Sequence, residues 1–160
     1  YLNTTLSDRK FNLYKKEIMS IAKYVTDESI ISNSNKWKST LNNFKNIIDI
    51  AYSINAKVIL LIYPQRSVIY FERATGEKLP RIYNGIFEIK LLKEFADKEN
   101  ILFINLNNRL INYVNNLQHN FNVKSLPYLE YDGHINNIGH GFVAEEIIKV
   151  INKEKSENVF

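Results

Sequence analysis

Cysteine is absent from this 160-residue chain, which removes disulfides and thiolate metal sites from consideration. Glycine and proline are scarce, at five and three. The glycines are dispersed, so they form no Gly-rich loop of the kind that cradles phosphate. No apolar run approaches the roughly 20 residues that a membrane-crossing helix needs. No segment has the charged start and apolar centre of a secretory leader. A massed charge of one sign is also missing: 21 Lys and Arg are interleaved with 17 Asp and Glu, for a net +4. Nucleic acid is therefore not an expected partner. Three histidines at scattered positions, without cysteine, argue against zinc. Neither a metal nor a cofactor is expected.

What the chain does have is apolar and aromatic mass, 45% and 12% of its residues, enough for the core of one domain. Two runs read as strands covered on both faces, because they are continuously apolar rather than alternating. One is Lys57 to Tyr63, stopped by Pro64; the other is Ile101 to Leu106. Each follows a helical pattern. Trp37, Leu41, Phe44, Ile47, Ile48, Ala51 and Ile54 recur at threes and fours, predicting a helix over about 36–54. Ile86, Ile89, Leu91, Leu92, Phe95 and Ala96 predict another over about 84–98. A third is expected from Asn107 to Leu117. The last is expected from Ile138 to Ile151, with Phe142, Val143, Ile147, Ile148 and Val150 available to face the sheet. Phe11, Ile18, Ile21, Ala22 and Val25 support an N-terminal helix near 8–24, followed by a Ser/Asn/Asp-rich loop over 26–36. The segment 64–83 lacks clear periodicity and reads as a long excursion. Alternating helix and strand is the grammar of an α/β fold with a parallel sheet.

Two parallel strands do not make a sheet that can be covered on both faces, and strands this apolar need neighbours on a further edge. The chain also begins with Tyr1 rather than Met. The expectation is the C-terminal part of a larger α/β domain, the upstream half lying outside this sequence. The alternative is a small α+β domain that dimerises to complete its sheet.

In open parallel sheets, ligands gather beyond the carboxyl ends of the strands. The segments of interest are therefore Pro64-Gln65-Arg66, Asn105 to Arg109, and the loop Glu130-Tyr131-Asp132-Gly133-His134 before the last helix. An imidazole can take a proton from a hydroxyl and return it to a leaving group, and a neighbouring carboxylate can fix its tautomer. Asp132 and His134, two positions apart on an Asp-Gly turn, fit those roles. The plainer reading is an Asp closing an Asx-turn and a His capping a helix. Arg66, just past a strand end, can bind an anionic substrate group such as a uronate or phosphate, or make a surface salt bridge. His140 suits packing or capping, and His119 is expected to be exposed.

Tyr131-Asp132-Gly133-His134-Ile135-Asn136-Asn137-Ile138-Gly139-His140, continuing Gly141-Phe142-Val143-Ala144-Glu145-Glu146-Ile147, resembles the last block of the SGNH (GDSL-like) hydrolases and acyltransferases. The strand ending Ile62-Tyr63-Pro64-Gln65-Arg66 is similar to one that precedes a substrate-side loop in that family. The resemblance spans about residues 37–151. It implies a three-layer α/β/α flavodoxin-like sandwich, with His134 as general base and Asp132 as its partner. It also implies acyl esters as substrates, with an acetylated glycan of the cell envelope as the family-based expectation. Many members place the Asp three before the His, where this chain has Tyr131; the two-residue spacing resembles the alginate acetyltransferase branch. The family's Gly-Asp-Ser nucleophile motif does not occur here, and Ser7, Ser20, Ser29, Ser67 and Ser125 lack its strand-to-helix Gly context. Tyr1-Leu2-Asn3-Thr4 resembles the tail of the oxyanion block, which implies Asn3 as an oxyanion donor and residues 4–35 as a lid-like insertion.

The resulting expectation is an ester hydrolase or O-acyltransferase whose serine lies outside this chain, so that the chain alone is inactive. The competing expectation is a non-catalytic α/β interaction or assembly module. A carbohydrate-binding domain built on the ten tyrosines finds no localised aromatic cluster to support it.

Overall fold

The computed structural model describes residues 34–78, 86–117, 123–129 and 132–157. The expected N-terminal helix, most of the 26–36 loop, the 4–35 insertion, Asn3 and His119 lie outside them. The described chain is mostly helical, with one small parallel sheet.

Helix α1 spans Asn35–Ser53, and Ser34 starts it by accepting a hydrogen bond from the Trp37 N–H at 3.1 Å. Strand β1, Ile59–Ile62, follows, then α2, Arg66–Thr75. Helix α3, Ile86–Lys98, leads to β2, Leu102–Asn105. Helix α4 is Asn107–Asn115, and after a 3₁₀ turn at Val123–Ser125 the described chain ends on α5, Asn137–Glu157. The strands pair in parallel, Ile59 with Leu102 through Ile62 with Asn105. Their continuous apolar character is thus matched by the pairing mode expected of it.

The core joins both strand ends to α2, α4 and the chain before α5. Ile69, Tyr70, Ile104, Leu106, Leu110, Ile111, Val114, Leu126 and Tyr128 form one buried cluster. Phe142, Val143, Ile147 and Val150 of α5 pack against it. Ile148, expected on the same face, is 56% exposed. Positions 143, 147 and 150 make one stripe at helical spacing, and 148 falls off it. Similarly, only Ile48 of the apolar α1 positions is buried, whereas Ile47 is 59% and Ile54 73% exposed. Phe44 reaches Phe95 of α3, ring centroids 6.3 Å apart. Alpha-helical periodicity marks an apolar side without saying how wide a strip is covered.

The segment 64–83 is not one long excursion. Its front half is α2, ended by Gly76 in the left-handed conformation at φ 71°. Val68, Ile69, Tyr70 and Phe71 are poor helix formers. Burial of Ile69, Tyr70 and Phe71 outweighs that preference, because each apolar side chain taken out of water gains roughly 1.5–3 kcal/mol. At the other boundaries, α4 stops at Asn115 rather than Leu117, and α5 runs to Glu157 rather than Ile151. Among the described residues, no helix is long and apolar enough to cross a membrane.

Leu110 is 1% exposed within the cluster. Leu110→Ala should therefore lower unfolding stability in urea by about 2–5 kcal/mol. Ile54→Ala, on the open side of α1, should change it by no more than about 0.5 kcal/mol.

Candidate active site

The loop that carries Asp132 and His134 is a small hairpin-like excursion. Tyr128 and Ile135 form an isolated antiparallel bridge, and the Leu129 N–H donates to the His134 carbonyl at 2.9 Å. The base of the loop is fixed by Asn136. Its side-chain amide donates to the carbonyls of Leu126 at 2.6 Å and Tyr128 at 3.2 Å. Its side-chain oxygen accepts from the N–H groups of Ile138 at 3.0 Å and Gly139 at 3.2 Å, capping α5. Its backbone N–H donates to Pro127, and its carbonyl accepts from His140. Asn136 therefore joins the loop to the helix with every polar group it has. His140 contributes through its backbone at this junction, and its side chain is exposed.

Gly139 is dictated by the same junction. A Cβ there would stand 2.5 Å from the Pro127 carbonyl oxygen and 2.7 Å from Ile135 Cβ. At Gly141, one half-turn on, a Cβ would meet nothing within 4 Å.

Two side chains dock this loop over the carboxyl end of β1. The buried Tyr128 hydroxyl donates to the Pro64 carbonyl. Burial, reinforced by Tyr63, pushes the phenol far above its ordinary pKa, so it stays a donor. Arg66 Nη1 donates to the Asp132 carbonyl at 2.8 Å and approaches that of Leu129 at 3.5 Å. Arg66, expected to meet a substrate anion or to make a surface salt bridge, places its Nη1 against loop carbonyls. The signal was hidden because the two partners are 66 positions apart.

Asp132 and His134 come together at the loop's exposed tip. Asp132 Oδ1 accepts from the His134 backbone N–H at 2.6 Å and lies 2.5 Å from ring Nδ1. The Asx-turn and the carboxylate–imidazole contact are therefore not alternatives; one oxygen makes both. The His134 side chain is 80% exposed. Hydrogen bonds from the His134 backbone, then from its ring, hold the Asp132 carboxyl below its ordinary pKa, with lesser help from the charges of His134 and Arg66. Glu130 and Tyr131 lie outside the described residues.

The other rim segment is engaged in packing. Asn105 Oδ1 accepts from the Asn107 N–H at 2.9 Å. Arg109 lies 4.8 Å over the Phe142 ring and pairs with the carboxylates of Glu145 and Glu146, tying α4 to α5. A hydrogen bond from Lys149, then the Arg109 charge, hold Glu146 below its ordinary pKa against the opposing effect of burial. Ser67 lies in the first turn of α2, on a strand-to-helix turn that the sequence reading missed with the helix itself. It is 0% exposed, and its hydroxyl has no partner among the described residues. The carbonyl of Ser125 accepts from Tyr113. An open depression of 370 Å³ is lined by Glu72, Arg73, Gly76, Glu77, Lys78 and Asn115. It sits at the far end of α2 from Arg66, about 15 Å along a ten-residue helix. Among the described residues, no group of three or more His, Asp or Glu is placed to hold a metal ion. The chain matches no protein-family model, no curated protein and no solved structure.

Denaturation should separate the parts of this junction. Gly139→Ala should cost about 1–3 kcal/mol through the clash with Pro127 and Ile135, while Gly141→Ala should add about 0.5–1 kcal/mol of helix preference. Asn136→Asp keeps the cap but turns an acceptor toward two carbonyls, and should cost about 1–3 kcal/mol. The folded pKa of Asp132 lies below its unfolded value near 3.9. Ionised Asp132 therefore supports the loop at every pH above that value, and the support fades as pH falls through the lower, folded value. NMR titration of its side chain should give a midpoint below 3.9 that returns toward 3.9 in His134→Ala.

Proposed function

We propose that this chain carries the base-bearing part of an ester hydrolase or O-acyltransferase of SGNH type. His134 is the general base and Asp132 the group that orients it. The observation that carries the reading is the 2.5 Å contact of Asp132 Oδ1 with His134 Nδ1 on a loop docked over a strand's carboxyl end. An ionised carboxylate only accepts, so neutral His134 holds its proton on Nδ1 and presents the Nε2 lone pair outward. A serine supplied from outside this chain forms its Oγ–C bond to the acyl carbonyl as its proton passes to Nε2. The tetrahedral intermediate then expels the alcohol, which takes that proton from His134. Water or a sugar hydroxyl repeats the sequence on the acyl-serine and releases the acyl group. Asn3 is the proposed oxyanion donor; such a donor contributes about 3 kcal/mol in acyl transfer generally. The three-layer sandwich is the architecture that goes with this reading, completed by strands beyond β1 and β2. The substrate class is a small acyl ester, with an acetylated glycan as the family-based choice.

A second reading, a non-catalytic interaction module, draws on one observation. Ile47, Ile50 and Ile54 line an exposed apolar stripe on α1, larger than scattered surface isoleucines require.

The test is turnover of p-nitrophenyl acetate by the product of the complete reading frame and by this chain. The longer protein should be active and this chain inactive. His134→Ala in the longer protein should lower kcat at least a thousandfold, on the order expected for a triad base. Asp132→Asn should lower it less. Turnover that persists in His134→Ala removes the triad reading; no turnover by the complete protein with any acyl ester favours the module.

A further inference from the structure

We infer that Arg66 is a positioning residue for the Asp132–His134 pair, holding the backbone from which the carboxylate reaches the ring and so selecting which ring nitrogen carries the proton. The inference rests on the reading of that pair given above and assigns Arg66 to the loop rather than to a substrate anion.

Among the described residues, the pair is held within its own turn by the bond from the His134 N–H to Asp132 Oδ1 and from outside by Arg66 and Leu129. The ring is 80% exposed, and Gly133 separates the two residues with open space where a side chain would be. Glycine gives the chain its greatest backbone freedom, so the Asp132–Gly133–His134 step leans on the bond from the His134 N–H to Asp132 Oδ1 and on contacts from outside the turn. On the His134 side, the backbone is held by the Leu129 N–H. On the Asp132 side, the hold is Arg66 Nη1, at 2.8 Å from the Asp132 carbonyl. The same nitrogen lies 3.5 Å from the Leu129 carbonyl, on the opposite arm of the excursion. One guanidinium thus spans both arms of the loop.

The support behind it is rigid. Arg66 is the first residue of α2, four positions past the end of β1, and the adjacent Ser67, Ile69 and Tyr70 are fully buried. A planar guanidinium on such a base loses less freedom on binding two carbonyls than a lysine ammonium would.

The consequence is chemical. An unconstrained imidazole in water favours the Nε2–H tautomer, which leaves Nδ1 as the basic atom, pointed back along the chain. Contact with Asp132 Oδ1 reverses that preference. Loss of the Arg66 anchor lets the Asp132 backbone rotate about Gly133, and the ring returns toward its solution tautomer. The base would then be present with its lone pair on the wrong nitrogen.

The experiment is a long-range ¹H–¹⁵N correlation on the uniformly labelled 160-residue chain at about pH 8.5, where imidazole is neutral. Wild type should show the Nδ1–H pattern for His134. Arg66→Gln should lower the Nδ1–H to Nε2–H ratio by roughly three- to tenfold, the span that one net hydrogen bond controls. Arg66→Lys should recover part of the loss. If Arg66→Gln does not fold, Arg66→Lys carries the test, with an intermediate ratio expected. An Nδ1–H wild type with an unchanged ratio in the folded variants overturns the role of Arg66 and leaves the pair intact. A wild type already in the Nε2–H form overturns the pair itself, and with it the function proposed above.

Discussion

Everything that places the imidazole depends on the side-chain amide of Asn136. An amide has donors on one end and an acceptor on the other. Here the donors face the carbonyls of Leu126 and Tyr128, and the oxygen faces the first N–H groups of α5. A helix start and a strand-like loop have opposite needs, free N–H groups on one side and free carbonyls on the other. A carboxylate would satisfy only the helix, and a hydroxyl is too small to reach both. The close approach that this bridging demands is what excludes a side chain at Gly139, where the Pro127 carbonyl already occupies the space. Asn136 and Gly139 are one constraint expressed at two positions.

From that junction the chain builds outward in decreasing order of rigidity. Tyr128 is buried, stands edge-on to Tyr70 at 6.1 Å, and holds the Pro64 carbonyl with a hydroxyl that cannot ionise in the ordinary range. Arg66 is partly covered and grips the loop's backbone at the Asp132 carbonyl. Asp132 is half-exposed, and His134 projects into solvent. Reactive groups on loops work only when a scaffold over-determines the loop's base. Here the over-determination is a sequence of hydrogen bonds running from core to tip.

How much of this could be read beforehand follows from the range of the interactions. Strands β1 and β2 were legible because Val58 to Ile62 and Leu102 to Ile104 are apolar on both faces, a property of consecutive residues. The Asp132–His134 pair was legible for the same reason, being two positions apart. Helix α2 was not, because Val68-Ile69-Tyr70-Phe71 is locally strand-like, and only packing against Leu110, Ile111 and Val114 decides the matter. Nor could the contact of Arg66 with the Asp132 carbonyl be foreseen, since the two residues lie 66 positions apart. The isoleucines of α1 mark a third limit. Their spacing announces a helix correctly, but Ile48 is covered while its neighbour Ile47 is not, and that depends on what lies beside the helix rather than on the helix.

The exposure of the ring bears on what the pair can do as it stands. Charge interactions in water are roughly fourfold weaker than in the partly screened surroundings of a protein surface. In the open loop, the role proposed for Asp132 is therefore chiefly geometric, the choice of tautomer, and only weakly one of charge. Stabilising an imidazolium during acyl transfer needs the field as well, and that requires water to be displaced from around Nε2. The depression at Glu72, Gly76 and Asn115 is too far along α2 to provide the cover. If His134 is the base proposed above, a substrate or another part of the protein has to close over the tip of the loop. On this account the loop supplies orientation in advance, and whatever covers it supplies the electrostatic strength. The two contributions come from different surfaces, so the proposed role of His134 as a base calls for both.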